Sequence, residues 1–465
     1  MPTKSLFRKW RSVGVLLLLA LSASLIGCGS SDKGAGSSAS PTGDPIRAYA
    51  GTTLRIALED VAPTTTIRQL IPEFEKETGI NVEEEVYDET TLRQKLVLDY
   101  TSHGATYSLA HVQWWFIPEF ANAGYLVPVD SLVSKYGSVE KWYNPKDFPG
   151  RIIDGYKFKG TIYGLPHWFI GGMYYYRTDL FSKQGWQAPQ NLADMMTLAQ
   201  KTKSAYGNQI NGWTGRGNRD FGTFGSIAGW AAGYGAKLLD DSYHPTLTTD
   251  PAWKQAMTDW VGLMQNYAPS GAGNLSWYDT YQGFEAGRVS QFFETSDYGP
   301  SFENPKESKV VGNTGYMPMP VGPAGKNAQW FYSAGLAVNK DASPEEQGAA
   351  WLFMQWRTSA ATMAEELSVP DSPRFDVPSV TVLNSPEYLQ AAKAANQEAY
   401  AKGLRETFLI ADPWYWPAVP QFIQISEVFA TNISAAISKQ MTVDEALQKS
   451  NTQIEAILQK AGYYN

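Results

Sequence analysis

The stretch TLRIALEDVAPTTTIRQLIPEFEKETGINVEEEVYDETTLRQKLVLDYTSHGATYSLAHV, residues 53–112, decides the fold. Thr53 to Leu58 is short, apolar and rich in strand formers, and reads as a strand. Ile67, Leu70, Ile71 and Phe74 then recur at helical spacing, and Gly79 follows the last turn as a C-terminal stop. Ile80 to Val86 alternates as a second strand, Thr90 to Tyr100 as a second amphipathic helix, and Tyr107 to Val112 as a third strand. Strand and helix in regular alternation give an α/β architecture, a sheet covered by helices, whose strand ends open onto a cleft.

Upstream of this body, Lys4, Arg8, Lys9 and Arg11 precede an apolar run from Val13 to Ile26 with no acidic residue among them, the layout of a secretory signal peptide. A membrane-spanning helix needs about 20 mostly apolar residues. This run is shorter and is interrupted by Gly14, Ser22 and Ser24, so a cleaved signal is expected. It ends in Leu25-Ile26-Gly27-Cys28, which resembles the lipobox of bacterial lipoproteins. That resemblance implies removal of residues 1–27 and acylation of Cys28, the chain's only cysteine. With no second thiol there is no disulfide to form. Gly29 to Pro45 is mostly Gly, Ser and Ala and buries too little to offset the entropy of ordering, so residues 28–50 are expected to be a lipid-bearing flexible tether.

The formal net charge is -8, and loss of the basic leader makes the mature chain more acidic still. An acidic balance argues against a nucleic-acid partner, which needs clustered Lys and Arg. The body is too long for one hydrophobic core, so two lobes are expected. Aromatic residues make up 13% of the chain, with 16 Trp and 26 Tyr. Trp is seldom fully buried, and rings in Gly- and Pro-rich loops are expected to face a cleft. Flat rings suit the C–H faces of sugars and polyols, while polar neighbours satisfy the hydroxyls.

Helix starts are written into the C-terminal half. Ser343-Pro344-Glu345-Glu346 and Thr442 with Glu445 both read as capping boxes, and Ala446, Leu447, Ile454 and Ile457 form an apolar face on the last helix. Six segments in order, PEFEKETGINVEEEV (72–86), FANAGYLVPVD (120–130), IYGLP with MYYYRTDLFSKQG (162–185), FEAGRVSQFFETSDYG (284–299), YSAGLAVNKDASPEEQGAAWLFMQW (332–356) and MTVDEALQKSNTQIEAIL (441–458), resemble the extracellular solute-binding proteins of ABC importers, specifically the sugar-binding, maltose-binding-protein-like group. The resemblance implies a two-lobed periplasmic-binding-protein-like fold with the ligand cleft between lobes. Lobe I would hold 51–170 and 318–360, and lobe II 171–317 and 361–465. It further implies a monomer outside the cytoplasm that closes by hinge bending and delivers its solute to a transmembrane permease pair driven by an ATPase, without a cofactor.

Candidate ligand contacts are rings and hydrogen-bonding groups at strand ends. Trp114 and Trp115 follow the third strand directly, and since adjacent residues cannot both face one way, at least one is expected in the cleft. Trp168 follows GLPH, and Trp230 lies on an expected helix in GSIAGWAAGYGAK. Asp297 and Tyr298 end an expected strand, Val289 to Phe293, and a carboxylate can accept from two neighbouring hydroxyls. Trp330 and Tyr332 precede an SAG turn, and Trp414 and Trp416 lie in DPWYWP. Asp60 and Arg374 complete the set, with surface salt bridging as the competing role. The Trp pair stands where the matching loop of maltose-binding protein is charged, so maltose itself is not implied. A ring-rich cleft with few evident charges suits a neutral carbohydrate or polyol.

An enzyme is not expected. Glu83 to Glu85, Glu365 and Glu366 could be imagined as the acid and nucleophile of a glycosidase, but their places on a strand and a helix make solvated charge the default. No hydrolase, zinc-protease or phosphate-loop motif occurs. The histidines at 103, 111, 167 and 244 have no metal-ligand spacing, although His103 and His111 could lie near one another. A glycan-binding surface lipoprotein without a transport role is the alternative that sequence leaves open.

Overall fold

The computed structural model describes residues 44–370, 372–413 and 415–464. Cys28, the leader and Trp414 lie outside the described residues. The body is already ordered ahead of the first strand: Asp44 caps a short turn, Pro45–Arg47, and Tyr49 packs edge-on against Tyr136.

β1 (Thr53–Glu59) lies parallel between β2 (Asn81–Tyr87) and β3 (Leu109–Gln113), with α1 (Ala62–Thr78) and α2 (Glu89–Thr101) as the crossovers. Ile67, Leu70, Ile71 and Phe74 are all buried, and Gly79 ends α1 in the left-handed conformation at φ 75°. β2 keeps its edge charged: Glu83 pairs with Arg55 at 3.2 Å and Glu84 with Arg68, a device that blocks further strand pairing. β3 starts later than its apolar run suggests, because the backbone N–H groups of Thr106 and Tyr107 are taken by the Asp99 carboxylate.

The strand that organises the rest is β4 (Leu165–Arg177), joined by β5 (Gln291–Thr295), β6 (Thr314–Pro318) and β7 (Phe331–Val338) in a seven-stranded sheet of order β2-β1-β3-β7-β4-β5, with β6 also on β4. Leu165 to Gly171 pair with β7, which connects to β3, whereas Gly172 onward pairs with β5 and β6. One continuous apolar strand therefore crosses between the two halves of a two-lobed α/β fold, as expected of a strand buried on both faces. Gly171 and Gly172 mark the crossing. A Cβ there would run into Thr407 and Phe293 respectively.

Both capping boxes form, at Ser343 with Glu346 and at Thr442 with Glu445. On the last helix Ala446, Leu447 and Ile454 are buried, with Leu458 rather than Ile457 as the fourth buried apolar position. The expected strand Val289 to Phe293 is displaced two residues, to Gln291–Thr295, and SAG lies inside β7 rather than in a turn.

Glu366 corrects the expectation of solvated charge. It ends the helix Ala360–Glu366 with 0% exposure, between the guanidinium groups of Arg357 and Arg374. Arg374 continues to Asp376 at 2.9 Å, and Asp376 accepts from Trp168 Nε1 at 2.9 Å. Arg374 is thus neither a surface ion pair nor a wall of the cleft. Removing one partner of a buried ion pair strands the others, at a cost of about 3–5 kcal/mol. Glu366→Gln is expected to lower the free energy of unfolding by about that much in urea titrations, with an unchanged m-value.

Candidate functional site

Strand ends from both halves of the sheet converge on a cavity of about 350 Å³. From the first half come Glu59 at the end of β1, Glu89 at the first turn of α2, Trp115 in the turn after β3, Trp168 on β4 and Tyr332 on β7. The facing wall is built by Arg216 and Asp220, which lead into the helix Phe221–Ala232, and by Asp297 and Tyr298 in the turn after β5. Trp330 lies just ahead of β7, and Trp277 sits at the lip, 45% exposed.

The rings form a braced frame. Trp115 and Trp168 each meet Tyr332 edge-on, at centroid distances of 4.7 and 5.0 Å. Trp168 is further held by the hydrogen bond to Asp376. Trp330 carries the Arg216 guanidinium over its face at 5.1 Å, and Gly225 leaves room for its indole edge, which a Cβ would strike. Tyr298 stacks on Tyr281 at 4.6 Å, which stacks in turn near Trp277. The indole N–H groups of Trp115 and Trp330 have no hydrogen-bond acceptor among the described residues.

The charges are equally fixed. Glu59 Oε2 accepts from Gln113 Nε2 at 2.8 Å and from Tyr332 Oη at 3.3 Å, and lies 3.0 Å from His111 Nε2. His111 is bonded on its other nitrogen to His167 at 3.0 Å, while His103 pairs instead with Asp341. Burial, aided by the charge of Arg357, holds His167 well below the ordinary histidine range and keeps it neutral. Arg216 makes a two-pronged bridge to Glu294 at 2.6 and 2.8 Å. Burial alone would weaken that guanidinium's hold on its proton, but the charge and hydrogen bonds of Glu294 outweigh it and raise its pKa. Burial, with the neighbouring charge of Glu59, pushes Glu89 up to about 7. Asp297 is reached by solvent through the cleft yet crowded by protein, and that crowding pushes it up to about 6.

Of the residues expected at the site, Trp115, Trp168, Asp297, Tyr298, Trp330 and Tyr332 share this cavity. Trp114 turns the other way and, with Trp416, lines a separate cavity of about 280 Å³. Trp230 lies in the core at 0% exposure, donating to the Ala256 carbonyl at 2.9 Å beside Trp213 and Trp260. Asp60 is exposed and outside the cavity. The cleft also holds more charge than the sequence suggested. Glu59, the residue before Asp60, was missed because successive strand residues point to opposite faces. Glu89 reads as an ordinary first-turn acid, and Arg216 and Asp220 as loop charges. The available signal was their position, at a strand end and just ahead of helices.

Residues 60–364 match the family of bacterial extracellular solute-binding proteins. The chain belongs to that family. Its members are the substrate-capturing components of ABC importers, and the sheet crossing at β4 is the corresponding two-lobed arrangement. Over 441 residues the chain is 26% identical to a mannitol-binding protein of Pseudomonas aeruginosa, covering 90% of this chain and 96% of that one. A solved ABC transporter solute-binding protein from Agrobacterium vitis S4 with bound D-mannitol superposes with a TM-score of 0.70 at 27% identity, over 89% of this chain and 100% of that one. Another, from Agrobacterium radiobacter K84 in complex with ribitol, has a TM-score of 0.73 at 20% identity, over 88% and 99%, a likeness of fold alone.

The two classes of Trp separate by their response to truncation. Trp230→Ala is expected to lose about 3–5 kcal/mol of stability through the cavity it leaves. Trp277→Ala at the lip is expected to stay within about 0.5 kcal/mol of the parent. Urea unfolding of the two variants checks both.

Proposed function

We propose that this cleft reversibly binds a neutral, linear polyol of pentitol or hexitol size and that the closed protein hands it to a permease pair driven by an ATPase. The carrying observation is the pairing of an aromatic frame with carboxylates from both walls of one small cavity. Ring faces can pack against the C–H side of an extended polyol, while Glu59, Glu89, Asp220 and Asp297 can each accept from its vicinal hydroxyls. The D-mannitol bound by the Agrobacterium vitis protein supports the same ligand class. Contacts from both walls are met together only when the cleft is shut, so ligand favours the closed form.

The carboxylates do no covalent chemistry in this reading: they bind, and no cofactor is called for. Among the described residues no helix is long and apolar enough to cross a membrane. Anchoring falls to acyl chains on Cys28, more than one being needed for stable attachment. The tether behind Cys28 would raise the effective concentration of a monomeric binding protein at its permease.

Thermal melting of the mature chain against D-mannitol, ribitol, maltose, putrescine and phosphate tests the ligand class, since a ligand that binds only the native state raises Tm. The alditols are expected to give the largest rise. No rise with any alditol sinks the proposal. Trp115→Ala and Trp168→Ala are each expected to weaken alditol binding by about tenfold or more in calorimetric titration.

The carboxyl shifts set a pH dependence. Glu89 and Asp297 are raised from ordinary values of 4.5 and 3.8 to about 7 and about 6. A raised carboxyl favours the fold fully below its unfolded pKa, and that contribution is lost as pH rises through the folded value. The unliganded protein therefore loses this stability as pH rises through 6 and then 7. Ionised carboxylates are the better hydroxyl acceptors, so alditol affinity is expected to rise over the same interval. Calorimetric titrations at about pH 5.5 and about pH 8 check the sign, and tighter binding at the lower pH refutes it.

A further inference from the structure

Two cavities lie on opposite sides of one aromatic wall. Trp115 lines the first cavity and not the second, and Trp416 lines the second and not the first. Their rings stack at 5.7 Å with 25° between planes, and Phe422 backs Trp416 at 4.2 Å. The second cavity repeats the character of the first. Trp114 and Trp416, packed on one another at 5.5 Å, line it with aromatic surface, and Arg151, Asp154 and Asp240 supply polar groups. The indole N–H groups of Trp114 and Trp416 have no acceptor among the described residues. At about 350 and 280 Å³, each cavity lies near the lower end of the roughly 300–1,000 Å³ typical of small-molecule sites.

We propose that the stacked pair Trp115–Trp416 is a ligand-length determinant, a partition that confines the native site to one short polyol and keeps a second, sugar-compatible compartment out of use. The inference rests on the polyol-binding reading above. A six-carbon chain fits one compartment, whereas a disaccharide alditol needs both. The wall is stiff because Trp115, Trp416 and Phe422 pack on one another at 4.2 to 6.2 Å, and Trp115 is also held edge-on by Tyr332. A ligand that is too long meets packed rings rather than a mobile side chain, and rejection of that kind is a matter of built-in clash.

The test is calorimetric titration of the native chain, Trp416→Ala and Trp115→Ala/Trp416→Ala with D-mannitol and with maltitol, alongside a thermal melt of each. The native chain is expected to bind mannitol and to reject maltitol. Trp416→Ala should retain mannitol binding because Trp115 remains, and the double variant should gain maltitol affinity by about tenfold or more while losing affinity for mannitol. Mannitol binding by the native chain with no gain for maltitol in a cooperatively melting double variant overturns the partition alone. Native binding of maltitol as tight as that of mannitol overturns it without recourse to any variant. Failure of the native chain to bind either compound overturns the polyol reading, and the partition with it.

Discussion

A single carboxylate with no exposed surface holds one side of this molecule together. Glu366 lies between Arg357 and Arg374, and the chain of charge runs on through Asp376 to the indole of Trp168. Arg357 also donates to the His167 carbonyl on β4, so the same network grips the strand that crosses between the halves of the fold. Buried charges are tolerated only when paired and hydrogen-bonded. That requirement ties the helix at 360–366, the segment around Arg374 and the strand β4 into one arrangement. The orientation of a ring in the cleft is therefore set by electrostatics well behind it.

The cleft itself is held in electrostatic tension. Glu59 and Glu89 face Asp220 and Asp297 across a small space, and the one guanidinium there, Arg216, is already engaged by Glu294. Burial raises the pKa values of Glu89 and Asp297, and at Glu89 the charges of Glu59 and Asp220 add to it. An array of acceptors with few donors is complementary to a ligand made of hydroxyl groups. Phosphates and other anions would meet like charge. Closing the cleft without a ligand would press carboxylates together, whereas a polyol between them supplies donors to both walls.

Parts of the site were legible because they obey local rules. Strand ends in an open α/β sheet lie at the cleft, which brought Trp115, Asp297, Tyr298 and Tyr332 into view. The failures have equally local causes. In the tight turn Trp114–Phe116, adjacent side chains diverge, so one indole reached the first cavity and the other the second. Trp230 lies on a helix as expected, but the glycines of that helix pack closely on Gln329 and Trp330 while its indole is buried beside Trp213 and Trp260.

The amino-acid order alone determined the alternation of strands and helices and the helix starts and stops, because spacing, capping and turn chemistry act within a few residues; it also carried the aromatic wealth and, through the resemblance of six segments in order, the family. Only the tertiary structure decided which rings share a cavity, that Glu59 rather than Asp60 faces it, and that Glu366 and Arg374 are interior. Those outcomes depend on contacts between segments up to hundreds of residues apart, as between Trp168 and Asp376 or Glu59 and Tyr332. Burial and charge pairing at such separations are properties of the packed chain, and no local pattern encodes them.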